Sequence, residues 1–500
     1  MQQHFYRFFP HALQKHTLGS WRLLALAAGF ILGCLVLFTY SHTGKSSSSP
    51  YTDAKSGAEH DADEKKVSCF IDLNLLRLHA DNSSTVDYAR LNIGVLRTEN
   101  FTTFPDSLDL SIPKYRSVRL DTEANRETRS DEDCTTSLTI QAPIAAARPD
   151  ASHMVFGVAT SLEKLEESLD AFAHWAGDTK TRIIAVVEQG GSSTRTRIQQ
   201  RASELGVRLT ITQTEDDRLD RYFSLIQVLF QYRDTSTKWA VLIDDDTFFP
   251  SMTNLVAKLA SYDATIPQYI GGMTEDLARL SGSGYMAYGG AGIFLSIPLL
   301  EDLQYVFETC HSFKDKGDRM LASCIYAHTT AKFTWERGLY QLDIHSDASG
   351  FFESGRPLPL SVHHWKSWFQ ADMVALGKAA AICGDECLLH RFHLSKDWFL
   401  VNGYSVIQDA TLWNDPRPME QTWDKSNYKG SDPFAYSLGP LRRLDQDKVS
   451  FRLRDAGAIL RQLYVLNATD ERPPQVLEVV WTVVDDNHTS STQSTTTRLA

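Results

Sequence analysis

The sequence predicts an α/β protein with a mostly parallel sheet flanked by helices, a β-rich C-terminal module and an N-terminal transmembrane helix. Three observations predict it. From residue 153, apolar runs of strand length alternate with segments of helical periodicity. Beyond about residue 395, short apolar runs with scattered aromatics replace that rhythm. Leu23–Tyr40 carries no charged residue, and a helix of that length spans about 27 Å, close to the hydrocarbon core of a bilayer.

The elements follow in order. Residues 1–20 contain Arg7 and Lys15, and Arg22 stands at the start of the apolar segment 21–40. The positive-inside bias keeps this end cytosolic and translocates the rest. The stretch is long for a cleaved signal, and no small-x-small site follows it, so it reads as an uncleaved anchor. Residues 41–66 are Ser-rich and then acidic, a flexible stem. Residues 67–147 mix short apolar runs (SCFIDLNLLRL, YARLNIGVLRT) with a polar stretch, which predicts a small ordered piece plus a loop.

The α/β domain is expected over 148–380. HMVFGVAT, TRIIAVVEQ, VRLTITQ and KWAVLIDDD read as strands. SLEKLEESLDAFAHWA, STRTRIQQRASELG and RLDRYFSLIQVLFQYR read as the helices between them, the first capped by Ser161. Strands alternating with helices imply a sheet covered on both faces, with ligands beyond the strands' carboxyl ends. The β-rich module is expected over 381–485, and 486–500 reads as a disordered tail.

Composition narrows the partners. The chain of 500 residues has a net charge of −12 and no long basic run, which argues against nucleic-acid binding. Cys34 falls in the apolar segment, leaving six cysteines, Cys69, Cys134, Cys310, Cys324, Cys383 and Cys387. Cys383-Gly-Asp-Glu-Cys387 reads as a disulfide or two free thiols rather than zinc, because no second matching pair exists. Sequons at Asn82, Asn100, Asn467 and Asn487 lie on the expected luminal side.

Chemistry enters where the fourth strand ends. Asp244, Asp245 and Asp246 crowd three like charges that only a cation or solvent relieves. Two carboxylates one residue apart can point to one side. One reaches a hard divalent cation, Mn²⁺ or Mg²⁺, and the other a ribose or a metal-bound water. Gly289-Gly290-Ala291-Gly292 has almost no side chain, so it reads as a ligand's approach or as a tight turn. It is neither a P-loop nor a dinucleotide fingerprint. Asp318 precedes a helix with an apolar face, and as an N-cap it would need no further role. His363 and His364 are adjacent, so on a strand they face opposite ways and one at most serves a given metal. Tyr285, Tyr288, Trp365 and Trp368 are sugar-stacking candidates or core.

The order of these signals carries a resemblance. LIDDDTFF, YGGAGIFLS, GDRMLASCI, GLYQLDIHSDASGFFES and LSVHHW, in that order after an anchor, resemble the Fringe-like glycosyltransferases of family 31, and most closely their fungal and plant branch. The likeness covers roughly residues 150–370 well and 395–490 loosely. It implies a nucleotide-sugar transferase A-type fold and a single-pass type II Golgi membrane enzyme with a luminal catalytic domain. It implies inverting transfer from a UDP-sugar to a glycan or glycoprotein hydroxyl, usually forming a β1,3 linkage. Asp244 and Asp246 match the outer positions of the family's Asp-x-Asp motif, Asp245 lies between them, and Asp246 would bind Mn²⁺ directly. Asp318 matches the general base. His363 matches the metal-binding histidine, with His364 second. Gly289, Gly290, Ala291 and Gly292 match the loop shaping the donor and acceptor pocket.

Two departures stand out. Relatives often carry an acidic residue where this chain has Gly317, and Arg319 is placed to pair with Asp318 and depress its pKa. These departures motivate an alternative, a catalytically silent Golgi protein that binds glycans or partners on the same fold.

Overall fold

The computed structural model describes residues 69–128, 136–313, 315, 317–344, 348–369, 371–409, 419–420, 438, 441–442, 448–457 and 461–484. The expected cytosolic tail, anchor 21–40, stem and C-terminal tail lie outside the described residues, as does Asn487. Among the described residues no helix is long and apolar enough to cross a membrane.

A seven-stranded sheet occupies the middle of the chain. Its strands are β1 (Met154–Ala159), β2 (Arg182–Glu188), β3 (Arg208–Thr214), β4 (Trp239–Ile243), β5 (Tyr269–Gly271), β6 (Ile293–Ser296) and β7 (Phe333–Trp335). They lie in the order β7-β5-β6-β4-β1-β2-β3. The strands β3, β2, β1 and β4 run parallel to one another, β7 runs parallel to β5, and β6 runs antiparallel to both β4 and β5. Helices α1 (Leu162–Ala176), α2 (Ser192–Glu204) and α3 (Arg218–Tyr232) make the crossovers expected from the sequence.

The reasons are local. In α1, Leu162, Leu165, Leu169 and Phe172 are buried at helical spacing, and the Ser161 side chain accepts the Lys164 N–H. The Asp217 carboxylate caps α3 by accepting from Leu219 and Asp220. Every residue of β1 and β4 is buried, as a strand covered on both faces requires. Phe156 meets Trp175 and Phe249 on one face, at 5.0 and 5.6 Å between ring centroids. On the other face Val155 and Ala240 join the cluster that holds Leu225 and Leu229 of α3. Each such aliphatic or aromatic side chain contributes about 1.5–3 kcal/mol on burial.

Two further helices, α4 (Ile297–His311) and α5 (Gly317–His328), pack beneath β6. The Cys310–Cys324 disulfide staples them together. It thereby fixes the helix that begins beside Asp318. A second disulfide joins Cys383 to Cys387, one of the two alternatives read from their spacing.

The β-rich sheet draws strands from both sides of this core. Arg391–His393, Trp398–Val401, Ser405–Asp409, Lys448–Ala456, Arg461–Leu466 and Gln475–Val484 follow one another antiparallel. The long strand Thr85–Thr98 then pairs parallel with Gln475–Val484. It also pairs with Arg116–Arg119 and Leu138–Pro143. The region read as a small ordered piece therefore shares a sheet with the C-terminal module. A buried ionic cluster ties that sheet to the core: Glu353 meets Lys448 at 3.1 Å and Arg452 at 3.0 Å and accepts from Ser405.

Candidate active site

The site forms where β4 ends, in the crevice that parallel sheets offer beyond their carboxyl ends. Asp244 and Asp246 point to one side of the chain and Asp245 to the other, as alternation demands. The His363 Nε2 atom lies 3.0 Å from Asp246 Oδ1 and 3.3 Å from Asp244 Oδ2. Its Nδ1 atom donates to the Gln341 carbonyl oxygen at 3.2 Å. That bond turns Nε2 toward two carboxylates, an arrangement that requires a cation between them, either a proton or a metal. Burial opposes charge on His363, but the Asp246 and Asp244 carboxylates outweigh it and hold the imidazole at about 10. Burial likewise resists charge on Asp246, and His363 overcomes it, so the carboxyl stays well below the usual range.

His364 joins the same side. The alternation expected of a strand fails here, because His364 has φ of 59° and turns the backbone. Its ring lies 3.7 Å from that of His363 and stacks on Trp368 at 3.5 Å. Its Nε2 is 3.3 Å from Asp343 Oδ1. One ligand atom from each of Asp246, His363 and His364 lies within 4.8 Å of the others, so both histidines can serve one cation.

Asp245 is placed elsewhere. Its carboxylate sits 3.6 Å from Lys366 Nζ and 3.9 Å from Lys164 Nζ, away from the histidines. The structure thus separates it from the cofactor-binding group in which the sequence put it.

The glycine loop is a tight turn whose backbone is closely approached by protein side chains. Gly289–Ala291 forms a 3₁₀ turn, and Gly292 follows with φ of 94°. A Cβ on Gly290 would overlap the His363 imidazole, and one on Gly289 would overlap the Tyr222 hydroxyl. Backbone atoms of the loop are fixed on both sides. Thr247 Oγ1 donates to the Gly290 carbonyl (2.8 Å), and the Ala291 N–H donates to Gln341 Oε1 (2.8 Å).

Asp318 lies in the first turn of α5 and accepts the Gly289 N–H at 3.0 Å. Burial raises its carboxyl to about 6, with the Asp244 charge adding to the shift. The expected pairing with Arg319 is absent. Arg319 reaches Asp315 at 3.1 Å and the Gly282 carbonyl, because it points outward from the helix while Asp318 points in. Asp318, Asp244, Gly289, Gly317, Tyr222 and Arg218 line one pocket of about 140 Å³.

Sequence reasoning missed Gln341, Asp343, Ser367 and Tyr222. Ser367 Oγ donates to Asp246 Oδ2 (3.2 Å), and Asp343 holds His364 while accepting from Thr274. The signal for Gln341 and Asp343 was present in GLYQLDIH, where two polar residues interrupt an apolar run and are 7% and 1% exposed. Of the aromatic candidates, only Trp368 packs against a site histidine. Tyr285 is exposed, while Tyr288 and Trp365 are core.

Residues 280–370 match the family described as "Protein of unknown function, DUF604". That span holds the glycine loop, Asp318, Gln341, Asp343 and both histidines, but not the aspartates. No curated protein sequence matches the chain. Among solved structures, the chain is similar to the apo-form glycosyltransferase GlyE of Streptococcus pneumoniae, at 11% identity and a TM-score of 0.30 over 45% of this chain and 58% of that one. It is similar to the galactosyltransferase LgtC with donor and acceptor sugar analogues, at 8% identity and 0.28 over 40% and 77%. The mannosyltransferase PcManGT of Pyrobaculum calidifontis, solved with GDP-Man and Mn²⁺, shares 14% identity at 0.28 over 40% and 59%. Overlaps this partial carry no argument about the chemistry of this chain.

Proposed function

We propose that the chain is a divalent-cation-dependent glycosyltransferase. In this reading it moves a sugar from a UDP-sugar to a glycan or glycoprotein hydroxyl with inversion, forming a β1,3 linkage. The observation that carries the reading is the convergence of Asp246, His363 and His364 beside a second, separately buried carboxyl, Asp318. The donor set of one carboxylate and two imidazoles fits a cation, and the orientation of His363 Nε2 favours one. Asp246, His363 and His364 would hold Mn²⁺ or Mg²⁺, whose chemistry is to offset charge on a departing diphosphate.

The residues of the chain do the rest. Asp318, unprotonated, accepts the proton of the acceptor hydroxyl as its oxygen bonds to the anomeric carbon and the bond to UDP breaks. Asp244 lines the same pocket as Asp318 and would orient the donor. Gly289 fixes the base through its backbone N–H. The reading extends to a Golgi enzyme anchored by residues 21–40, consistent with the exposure of Asn82, Asn100 and Asn467. The outward course of Arg319 removes one of the two motives for a catalytically silent protein, and Gly317 remains the other.

Isothermal titration of the full chain with UDP tests this reading, with and without Mn²⁺. Mn²⁺-dependent binding that disappears in Asp246→Ala is expected, and a donor-sugar screen then reads turnover. No binding under either condition would sink it.

A further inference from the structure

A second cavity, of about 490 Å³, opens at the edge of the β-rich sheet. Arg356 and Arg391 line it, with Asp106, Ser107, His393 and Phe399. The two arginines are brought there by backbone geometry. Gly355 has φ of 65°, and a Cβ on it would come to 3.0 Å from Arg391 Nε, so the Arg391 guanidinium lies across a residue that only glycine fills well. Each guanidinium also rests on an aromatic ring, Arg391 over Phe399 at 5.2 Å and Arg356 over Phe351 at 4.6 Å.

Neither arginine has a carboxylate within ion-pair distance among the described residues. Glu353, two residues before Gly355, is committed to Lys448, Arg452 and Ser405. Arg391 Nη1 makes one long bond to the Glu353 carbonyl (3.5 Å), and Arg356 Nε donates to Ser354 Oγ (2.7 Å). Arg356 also interacts with Tyr340, and both arginines line the cavity. Burial lowers the pKa of both arginines, the mark of charge that the protein leaves partly uncompensated. Half-buried guanidiniums of like sign are normally paired. Asp106 is the acidic group on the rim; it is exposed, and its charge acts on Arg391 from beyond ion-pair distance.

We propose that this cavity is a binding site for an oxyanion, a carboxylate, sulfate or phosphate group, held between Arg356 and Arg391. The planar forks of two guanidiniums suit such a group. The site does not depend on the transferase reading.

The test is titration of the full chain with inorganic sulfate, inorganic phosphate, glucuronate and neutral glucose. The variants are Arg356→Gln, Arg391→Gln and Asp246→Ala. Saturable binding of at least one oxyanion is expected, weakened roughly ten-fold or more by either glutamine variant and untouched by Asp246→Ala. Glucuronate binding without sulfate binding would point to a sugar carboxylate, and the reverse to an inorganic or ester anion. Melting temperatures without ligand should stay level or rise in both glutamine variants, since each removes a charge that burial disfavours. The proposal is overturned if no oxyanion binds, if both glutamine variants bind as the native chain does, or if both melt several degrees lower. Binding lost in Asp246→Ala would also overturn it, by placing the anion at the aspartate site.

Discussion

The His363 imidazole occupies the space that a side chain at position 290 would need. Gly290 and His363 are far apart in sequence, yet the loop backbone forms the back wall of the histidine's seat. Gly290→Ala must push the ring off the Gln341 carbonyl and away from Asp246, or push the loop outward. We expect loss of Mn²⁺ binding and a stability cost of ~1–3 kcal/mol. Titration calorimetry with Mn²⁺ and a thermal melt would check both; retained affinity would show that the loop yields instead.

Asp318 sets the pH dependence. Its carboxyl is raised to about 6 from an ordinary 3.8, so the folded chain holds that proton more tightly than the unfolded chain does. The linked stability is fully present below about pH 4 and is lost as pH rises through 6. Activity needs the unprotonated form, so turnover should rise with pH through about 6. Asp318→Asn should abolish transfer without lowering the melting temperature at pH 7, because its amide oxygen still accepts the Gly289 N–H.

Arg319 supplies a control on that account. Since it pairs with Asp315, Arg319→Gln should leave the pH profile where it is. A downward or upward move of the rising limb would show that the guanidinium acts on the base after all.

The three aspartates should separate by function. Asp246→Asn should abolish Mn²⁺ affinity. Asp245→Asn should keep it and lower stability by roughly 1–3 kcal/mol, because Lys366 and Lys164 lose a shared buried carboxylate and Lys366 keeps only Glu167, at 3.9 Å. Equal metal affinities in the two variants would contradict the alternation seen at the strand end.

The Glu353 cluster offers a test of the join between core and β-rich sheet. Lys448→Ala should cost ~3–5 kcal/mol, because Glu353 remains buried with less opposing charge. Pairing it with Glu353→Gln should recover part of that loss, as denaturant unfolding of the double variant would show.

What the sequence disclosed follows from the range of its signals. The alternating strands and helices from β1 to β4, the Ser161 cap and the acidic strand end are set by neighbours a few residues apart, and periodicity reads them directly. That both candidate histidines lie on one side was hidden because alternation presumes extended backbone, and His364 leaves it. Arg319 and Asp318 were paired on adjacency, whereas consecutive helical residues point about a quarter-turn apart. The partnership of Thr85–Thr98 with Gln475–Val484 was invisible because nothing local in either strand encodes its partner.

That partnership has a consequence for how the chain reaches its native state. Tyr88 bonds to Glu478, 390 residues later, and the two strands around them complete a sheet that begins near residue 85. A chain emerging from the ribosome must carry Thr85–Thr98 without its partner until Gln475–Val484 is made. Contacts of this range slow folding and leave apolar edges open to other chains. Loss of Gln475–Val484 would leave that edge permanently bare, so a truncation before Gln475 should fail by aggregation well before it touches the chemistry.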